Sequence, residues 1–205
     1  VQLMGRKSLK KERQSEIIEA FYKVAQKEGL ENVSLAKVAT EMDVNTSLVL
    51  HYFKSKEELL FGLINFILER YKKLYTSEYN KERSGSRLMS IINNLFSREW
   101  NELIDDGVFY SCFALIFRDE KIKSAYKELH DYLRLLLSEV IEEAKKNGEI
   151  NIQCSKETAD LIFVMVEGAY YYLSLFKPNE EYYEKLEKYK EAAIEMLRFN
   201  KPTYS

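Results

Sequence analysis

The chain has 205 residues, 46% of them apolar, enough to bury a sizeable core in one large or two small domains. Its net charge of −2 argues against a uniformly basic polyanion binder, and its two cysteines, Cys112 and Cys154, have neither metal spacing nor a catalytic base beside them. Two prolines and seven glycines are too few for an all-β fold, and Asp106-Gly107 and Asn147-Gly148 stand between helical patterns, so the expected fold class is all-α.

Val1-Gln2-Leu3 precede Met4, as an expression remnant or an upstream extension would. Arg6, Lys7, Lys10, Lys11 and Arg13 follow, suited either to a mobile arm reaching phosphates or an adjacent minor groove, or to a solvated terminus. Residues 1–56 hold ten basic and seven acidic side chains, a local charge of +3 against −5 in the remainder. That asymmetry is what a chain with one nucleic-acid-facing end would carry.

A first helix is expected from Leu9 to Glu28, ended by Gly29, with Ile17, Ile18, Phe21, Val24 and Ala25 inward. Leu35, Val38, Ala39 and Met42 then recur at helical spacing, Asp43-Val44-Asn45 breaks the pattern, and Val44, Leu48, Val49 and Phe53 supply the next buried face. Two short helices around a three-residue turn make a helix-turn-helix unit, whose second helix is offered to the major groove of duplex DNA. From Thr46 to Phe53 that helix spans about 12 Å, matching a groove about 12 Å wide. Thr46 with Leu50, and Ser47 with His51, fall on its outer side. Asn45 is placed to cap it, and Ser55 with Glu58 forms a capping box for a fourth helix running to about Tyr79. That helix buries Leu59, Leu60, Leu63, Ile64, Ile67, Leu68 and Tyr71, and its continuity makes it a candidate lever.

Lys81-Glu82-Arg83-Ser84-Gly85 reads as a linker. Helices are expected near 86–105, 108–118, 120–146, 155–176 and 179–199. The run from Leu161 to Phe176 is too short for a membrane span and contains Glu167, Gly168 and Ser174. Two cysteines without a signal sequence suggest a reducing cytoplasm. Tyr182, Leu186, Tyr189, Ala193 and Met196 step by fours and threes like a coiled-coil seam; with Leu173 on the preceding helix they are the expected homodimer interface, an ordinary monomeric core being the alternative. Phe96, Trp100, Phe109, Tyr110, Phe113, Phe117, Tyr126, Met165, Tyr170 and Tyr171 offer an aromatic lining around Glu167. An aromatic cage with one carboxylate suits a cationic or quaternary ammonium ligand, plain core packing being the alternative for each ring.

The order of a Ser34-started helix, the Val38-Ala39 pair, a short turn with Val44, and then Leu50-His51-Tyr52-Phe53 leading to Lys56-Glu57-Glu58-Leu59-Leu60 resembles the amino-terminal domain of the TetR family of bacterial transcriptional regulators. The likeness covers Glu16 to Leu63, and the later helices agree in number and length. Two departures stand out: the family usually has Gly where Asp43 stands, and a Lys-Gly pair where Thr46-Ser47 stand. Trp100 with the Phe109–Tyr132 region is similar to the family's betaine-operon repressor subset. The resemblance implies a DNA-binding domain at 1–54 and a helical ligand-binding and dimerisation domain at 55–205. It implies DNA contacts from Ser34, Asn45, Thr46, Ser47, Leu50, His51, Tyr52 and Lys56. A small-molecule effector would bind the larger domain, a palindromic operator would face a homodimer, and no cofactor is expected.

Two other classes compete. A nucleoid-binding structural dimer that recognises a protein partner would share the DNA-binding end and lack the small ligand. An all-α enzyme is disfavoured, because His51 and His130 have no triad or metal-ligand company in sequence and there is no Gly-rich phosphate loop.

Overall fold

A computed structural model describes residues 2–77, 87–97 and 105–200, with side chains for 9–73, 87–97 and 105–200. The expected linker at Lys81–Gly85 and Trp100 lie outside them. Among the described residues the fold is helical, as expected, with one isolated backbone bridge between Ile150 and Phe199. The α-helices are α1 (Gln2–Glu28), α2 (Leu35–Glu41), α3 (Thr46–Tyr52), α4 (Lys56–Ser77), α5 (Arg87–Leu95), α6 (Asp106–Phe113), α7 (Glu120–Lys146), α8 (Ser155–Leu173) and α9 (Glu180–Leu197). Packing groups them into two compact units, 1–70 with 104–126 and 71–103 with 127–205, so α4 and α7 each contribute to both.

In the first unit α1 buries Ile17, Ala20, Phe21, Val24 and Ala25 on one stripe. It starts at Gln2, earlier than Leu9, so the basic segment read as a possible arm is the first part of this helix. Gly29 ends α1 at φ 85 and ψ 148, backbone open essentially to glycine alone, and its N–H donates to the Ala25 carbonyl at 2.9 Å. A 3-10 turn over Leu30–Asn32 leads to α2, which Ser34 caps by accepting from the Lys37 N–H at 3.3 Å. Lys27–Glu41 at 2.9 Å and Lys37–Glu28 at 2.5 Å bridge α1 and α2.

The turn after α2 puts Asp43 at φ 54, in the left-handed region where the related family usually has glycine. Aspartate visits that region more readily than most residues, so the turn survives the exchange. Val49 and Phe53 are buried beneath α3, while Val44 and Leu48 are half-buried. α4 starts on Ser55, whose hydroxyl accepts from the Glu58 N–H at 3.2 Å; the Glu58 carboxylate accepts from the Lys54 N–H at 2.7 Å, one residue earlier than in a standard capping box.

The expected single helix over 108–118 is instead α6 followed by a 3-10 turn at Ala114–Phe117. Asp105 caps α6 through the Val108 N–H at 2.9 Å, and its own N–H donates to the Tyr22 hydroxyl at 2.6 Å. The Arg70 guanidinium lies 5.7 Å from the Tyr22 ring and 4.3 Å from the Phe66 ring, so α1, α4 and the start of α6 meet at one joint.

The second unit is built around Leu88, Ile92 and Leu95 of α5, Leu133 and Ile141 of α7, and Ile162 and Val166 of α8, all essentially closed to solvent. Arg134–Asp160 at 2.6 Å and Ser155–Glu142 at 2.7 Å hold α7 against α8. Asn179 caps α9 through the Tyr182 N–H at 3.1 Å. Here the dimer seam needs correction. Leu173, Tyr182, Leu186 and Ala193 are 0–4% exposed within the single chain, and Tyr189 and Met196 are half-buried. The four- and three-residue steps mark the face with which α9 joins its own core, where α5 and α8 are its neighbours. Burial of each large apolar side chain there contributes about 1.5–3 kcal/mol to the fold.

Candidate DNA interface and effector site

The outer face of α3 follows from its short length. One helical turn is spent on Val49, and the residues opposite have nothing of the chain to cover them. Asn45, Ser47, Leu50 and His51 are exposed, and Thr46 and Tyr52 are half-buried. Leu50 is 44% exposed, so it stands on the outer side as its spacing predicted. Asn45 holds the N-cap position of α3, but its side chain makes no capping bond, so capping does not occupy it. The His51 and Tyr52 rings meet edge to face at 5.1 Å, which orients both at the end of α3. Lys56 donates to the Glu31 carbonyl at 3.3 Å, tying the first turn of α4 to the turn before α2. Ser34, the cap of α2, is half-buried. This surface carries hydroxyls, an amide, an imidazole and one exposed aliphatic side chain. It can offer hydrogen bonds to phosphates and base edges and an apolar contact to a thymine methyl.

The residues expected to line an effector site belong to both compact units. In the first, Phe113 and buried Tyr126 pack edge to face at 5.3 Å, with Phe109 stacked on Phe113 at 6.4 Å. Burial pushes the Tyr126 phenol well up, and the Cys112 thiol to about 12, which leaves Cys112 an unreactive core group. Phe117 is 83% exposed, which corrects its expected place in an enclosed lining. In an α-helix Phe117 would share a face with Phe113; the 3-10 turn, at three residues per turn, rotates it about 120° away.

In the second unit, Glu167 is a half-buried carboxylate and the one charged residue in the run Leu161–Leu173 of α8, and it accepts a hydrogen bond from the Tyr71 hydroxyl of α4. His130 of α7 lies 6.1 Å from the Tyr71 ring and 5.4 Å from the Phe163 ring. Burial lowers the His130 pKa, Asp131 opposes that shift and Arg134 adds to it. Phe96 is buried and Met165 half-buried. Tyr170 is already used structurally: its hydroxyl donates to the Leu95 and Ser97 carbonyls at 3.0 and 3.2 Å, closing the end of α5. Burial raises its pKa.

Sequence reasoning had Glu167 and Tyr71 separately and dismissed His130; the grouping of all three is tertiary. It also missed a stripe on the outer side of α8. Leu161, Val164, Tyr171 and Leu175 are 59%, 66%, 63% and 72% exposed, which takes Tyr171 out of the expected lining, and Gly168 between them is open to solvent. Their spacing of three, four, three and four was the available signal.

Among the described residues no group of three metal-ligating side chains comes together, and no helix is long and apolar enough to cross a membrane.

Comparison with known proteins agrees with this geometry. Residues 17–63 match the model for bacterial regulatory proteins of the tetR family, and residues 83–199 match that for the tetracyclin repressor-like C-terminal domain. A nucleoid occlusion factor, SlmA, of Vibrio vulnificus is 23% identical over 186 residues, spanning 90% of this chain and 93% of its own. The fold is that of a TetR transcription regulator from Haloarcula marismortui, with TM-score 0.78 and 18% identity over 93% of this chain and all of the other. It is shared by a protein from Saccharomonospora viridis described as a transcriptional regulator and solved in complex with choline, at TM-score 0.75, 16% identity and the same coverage. With matches covering both the helix-turn-helix and the helices beyond it, the chain belongs to the TetR family and is a DNA-binding transcriptional regulator, not an enzyme.

Proposed function

We propose that the protein is a cytoplasmic, ligand-responsive repressor that binds a palindromic operator as a homodimer and is released by a small-molecule inducer. Residues 1–54 face DNA; residues 55–205 hold the inducer and the dimer contact. Thr46, Ser47 and Leu50 read base edges, and Ser34, Asn45, His51, Tyr52 and Lys56 hold phosphates. One short recognition helix reads few bases, and two-fold symmetry presents two of them about 34 Å apart to a palindrome.

The observation that carries the inducer reading is Glu167. A half-buried ionised carboxylate within an apolar run is costly unless it is paired, and its partner Tyr71 belongs to the helix that starts directly after the recognition unit. A cation drawn to Glu167, with Phe96, Met165 and the Tyr71 ring near the same helices, would compete for that hydrogen bond and shift α4. A coupling of about 1–3 kcal/mol would change operator affinity about 5- to 150-fold. Choline in the Saccharomonospora viridis protein supports a quaternary ammonium ligand, and with it the likeness to betaine-operon repressors. For the homodimer, the outer stripe of α8, Leu161, Val164, Tyr171 and Leu175, is the surface that takes the second copy.

The test is selection of random duplex DNA by the purified protein, followed by release from the selected palindrome with choline and related quaternary amines. Enrichment lost in Tyr52→Ala and Lys56→Ala, and release lost in Glu167→Gln, are the expected results. Unchanged ligand and operator affinity in Glu167→Gln would remove the basis for the inducer site.

The Vibrio vulnificus relative favours a second reading, a nucleoid-associated dimer that recognises a protein partner. It predicts DNA binding that no small cation weakens.

A further inference from the structure

Base edges in the major groove are told apart by a small chemical code. Arg and Lys suit the acceptors of guanine, Asp and Glu the amino group of cytosine, Asn and Gln the donor and acceptor of adenine, and an apolar side chain the methyl of thymine. Helix α3 supplies little of it. From Thr46 to Tyr52 it reads Thr-Ser-Leu-Val-Leu-His-Tyr, with no Arg, Lys, Asp or Glu. In the helices beside it, Lys27 is paired with Glu41, Lys37 with Glu28, and Lys56 is bonded to the Glu31 carbonyl.

What this face does offer is Leu50. It is 44% exposed, whereas Val49 beside it is closed off and Leu48 is half-buried. Set against phosphates, carbonyls or amino groups, a side chain of this size would strip water from polar groups without giving them a partner, which is costly. The 5-methyl of thymine is the apolar group that the major groove presents. Thr46, half-buried one turn earlier on the same line, carries a methyl beside its hydroxyl. The two positions lie about 6 Å apart at ~1.5 Å per residue, close to two base-pair steps of about 3.4 Å. Ser47, exposed between them, has a hydroxyl that pairs with either kind of base edge and selects little.

We infer that α3 is a thymine reader. The half-site it faces is rich in A·T pairs, with Leu50 against one thymine methyl and the Thr46 methyl against a second about two steps away. Leu50 is the specificity-determining residue, and guanine contacts play no part in the choice. The inference rests on DNA binding, which family membership establishes, and on α3 as the reading helix of the proposed operator complex; it does not rest on the inducer.

The test starts from the duplexes that the purified full chain selects from a random pool. Single thymines of the selected half-site are replaced by deoxyuridine, which removes the 5-methyl and leaves the hydrogen-bonding edge in place. Affinity is compared at one fixed salt concentration, since backbone contacts vary with salt. Burial of one methyl group corresponds to about fourfold in affinity, so demethylation of the thymine under Leu50 should weaken binding by about that factor. Leu50→Ala should bind the thymine and deoxyuridine sites alike and melt close to the wild type, because Leu50 is exposed. Where cytosine is placed at that position, 5-methylcytosine should recover affinity for the wild type and not for Leu50→Ala. Equal binding of thymine and deoxyuridine sites by the wild type, or selected half-sites rich in G·C under α3, would overturn the inference and leave the operator reading in place. A pool from which no sequence is enriched would overturn both.

Discussion

The helix pairs α2–α3 and α8–α9 put their apolar residues to different uses. In α2–α3 the apolar side chains mostly turn inward, with Val38, Ala39 and Val49 buried, and the outer face is left to Ser47, His51 and a single aliphatic residue, Leu50. Helix α8 has apolar residues on both sides: Ile162, Val166 and Leu173 in the core, and Leu161, Val164, Tyr171 and Leu175 in solvent. Periodicity tells which residues share a face. It does not tell whether that face meets the same chain or another one. Where one face is apolar the reading is safe, as in α3; where two are, as in α8, the core and the interface can be exchanged.

The sharpest way to break this comparison is to insert changes on each face of the carboxy-terminal pair. Leu186→Ala on the inward side should cost about 2–5 kcal/mol, read as a drop in the thermal midpoint. Val164→Glu with Tyr171→Glu on the outward side should leave that midpoint in place and shift sedimentation from dimer to monomer. A Leu186→Ala protein that melts normally and dissociates would reverse the assignment of faces.

Smaller effects sharpen the amino-terminal side. Ser55→Ala removes the hydroxyl that caps α4 and should cost about 1 kcal/mol in denaturant unfolding. Asp43→Gly relieves a left-handed backbone angle and should stabilise the fold by a fraction of the roughly 1–2 kcal/mol that such a residue ordinarily costs, seen as a higher melting temperature. Asp43→Val at the same position should lower it.

The least effect expected is a pH dependence from the second unit. Burial holds His130 below its ordinary pKa of 6.5, so the unfolded chain binds the proton more readily than the folded one. Stability from this group is therefore present above about pH 6.5 and lost as pH falls towards the folded value. His130→Asn should flatten the fall in melting temperature between neutral pH and pH 5, and an unchanged slope would remove His130 from the account.

Much of the reading end was legible because its information is local. Caps at Ser34 and Ser55, the stop at Gly29 and the break at Asp43 act within one or two helical turns and each took its expected place, and of the stripe beneath α3 Val49 and Phe53 are buried while Val44 and Leu48 are half-buried. The effector region was less legible, since its groups come from α4, α7 and α8, far apart in the chain. His130 looked solitary in sequence and proved to lie between Tyr71 and Phe163. Phe117 looked like a partner of Phe113 until a 3-10 turn rotated it outward. No propensity argument distinguishes those two helix types over four residues.

By itself the sequence determined the helical class, the order of the elements, the helix-turn-helix and the residues on its outer face, because short-range hydrogen bonding and periodic burial are written into neighbouring positions. Tertiary structure alone decided which apolar stripe of α8 and α9 is core and that Glu167 meets Tyr71. Those depend on which surfaces are already covered, and coverage is a property of the assembled chain rather than of any segment.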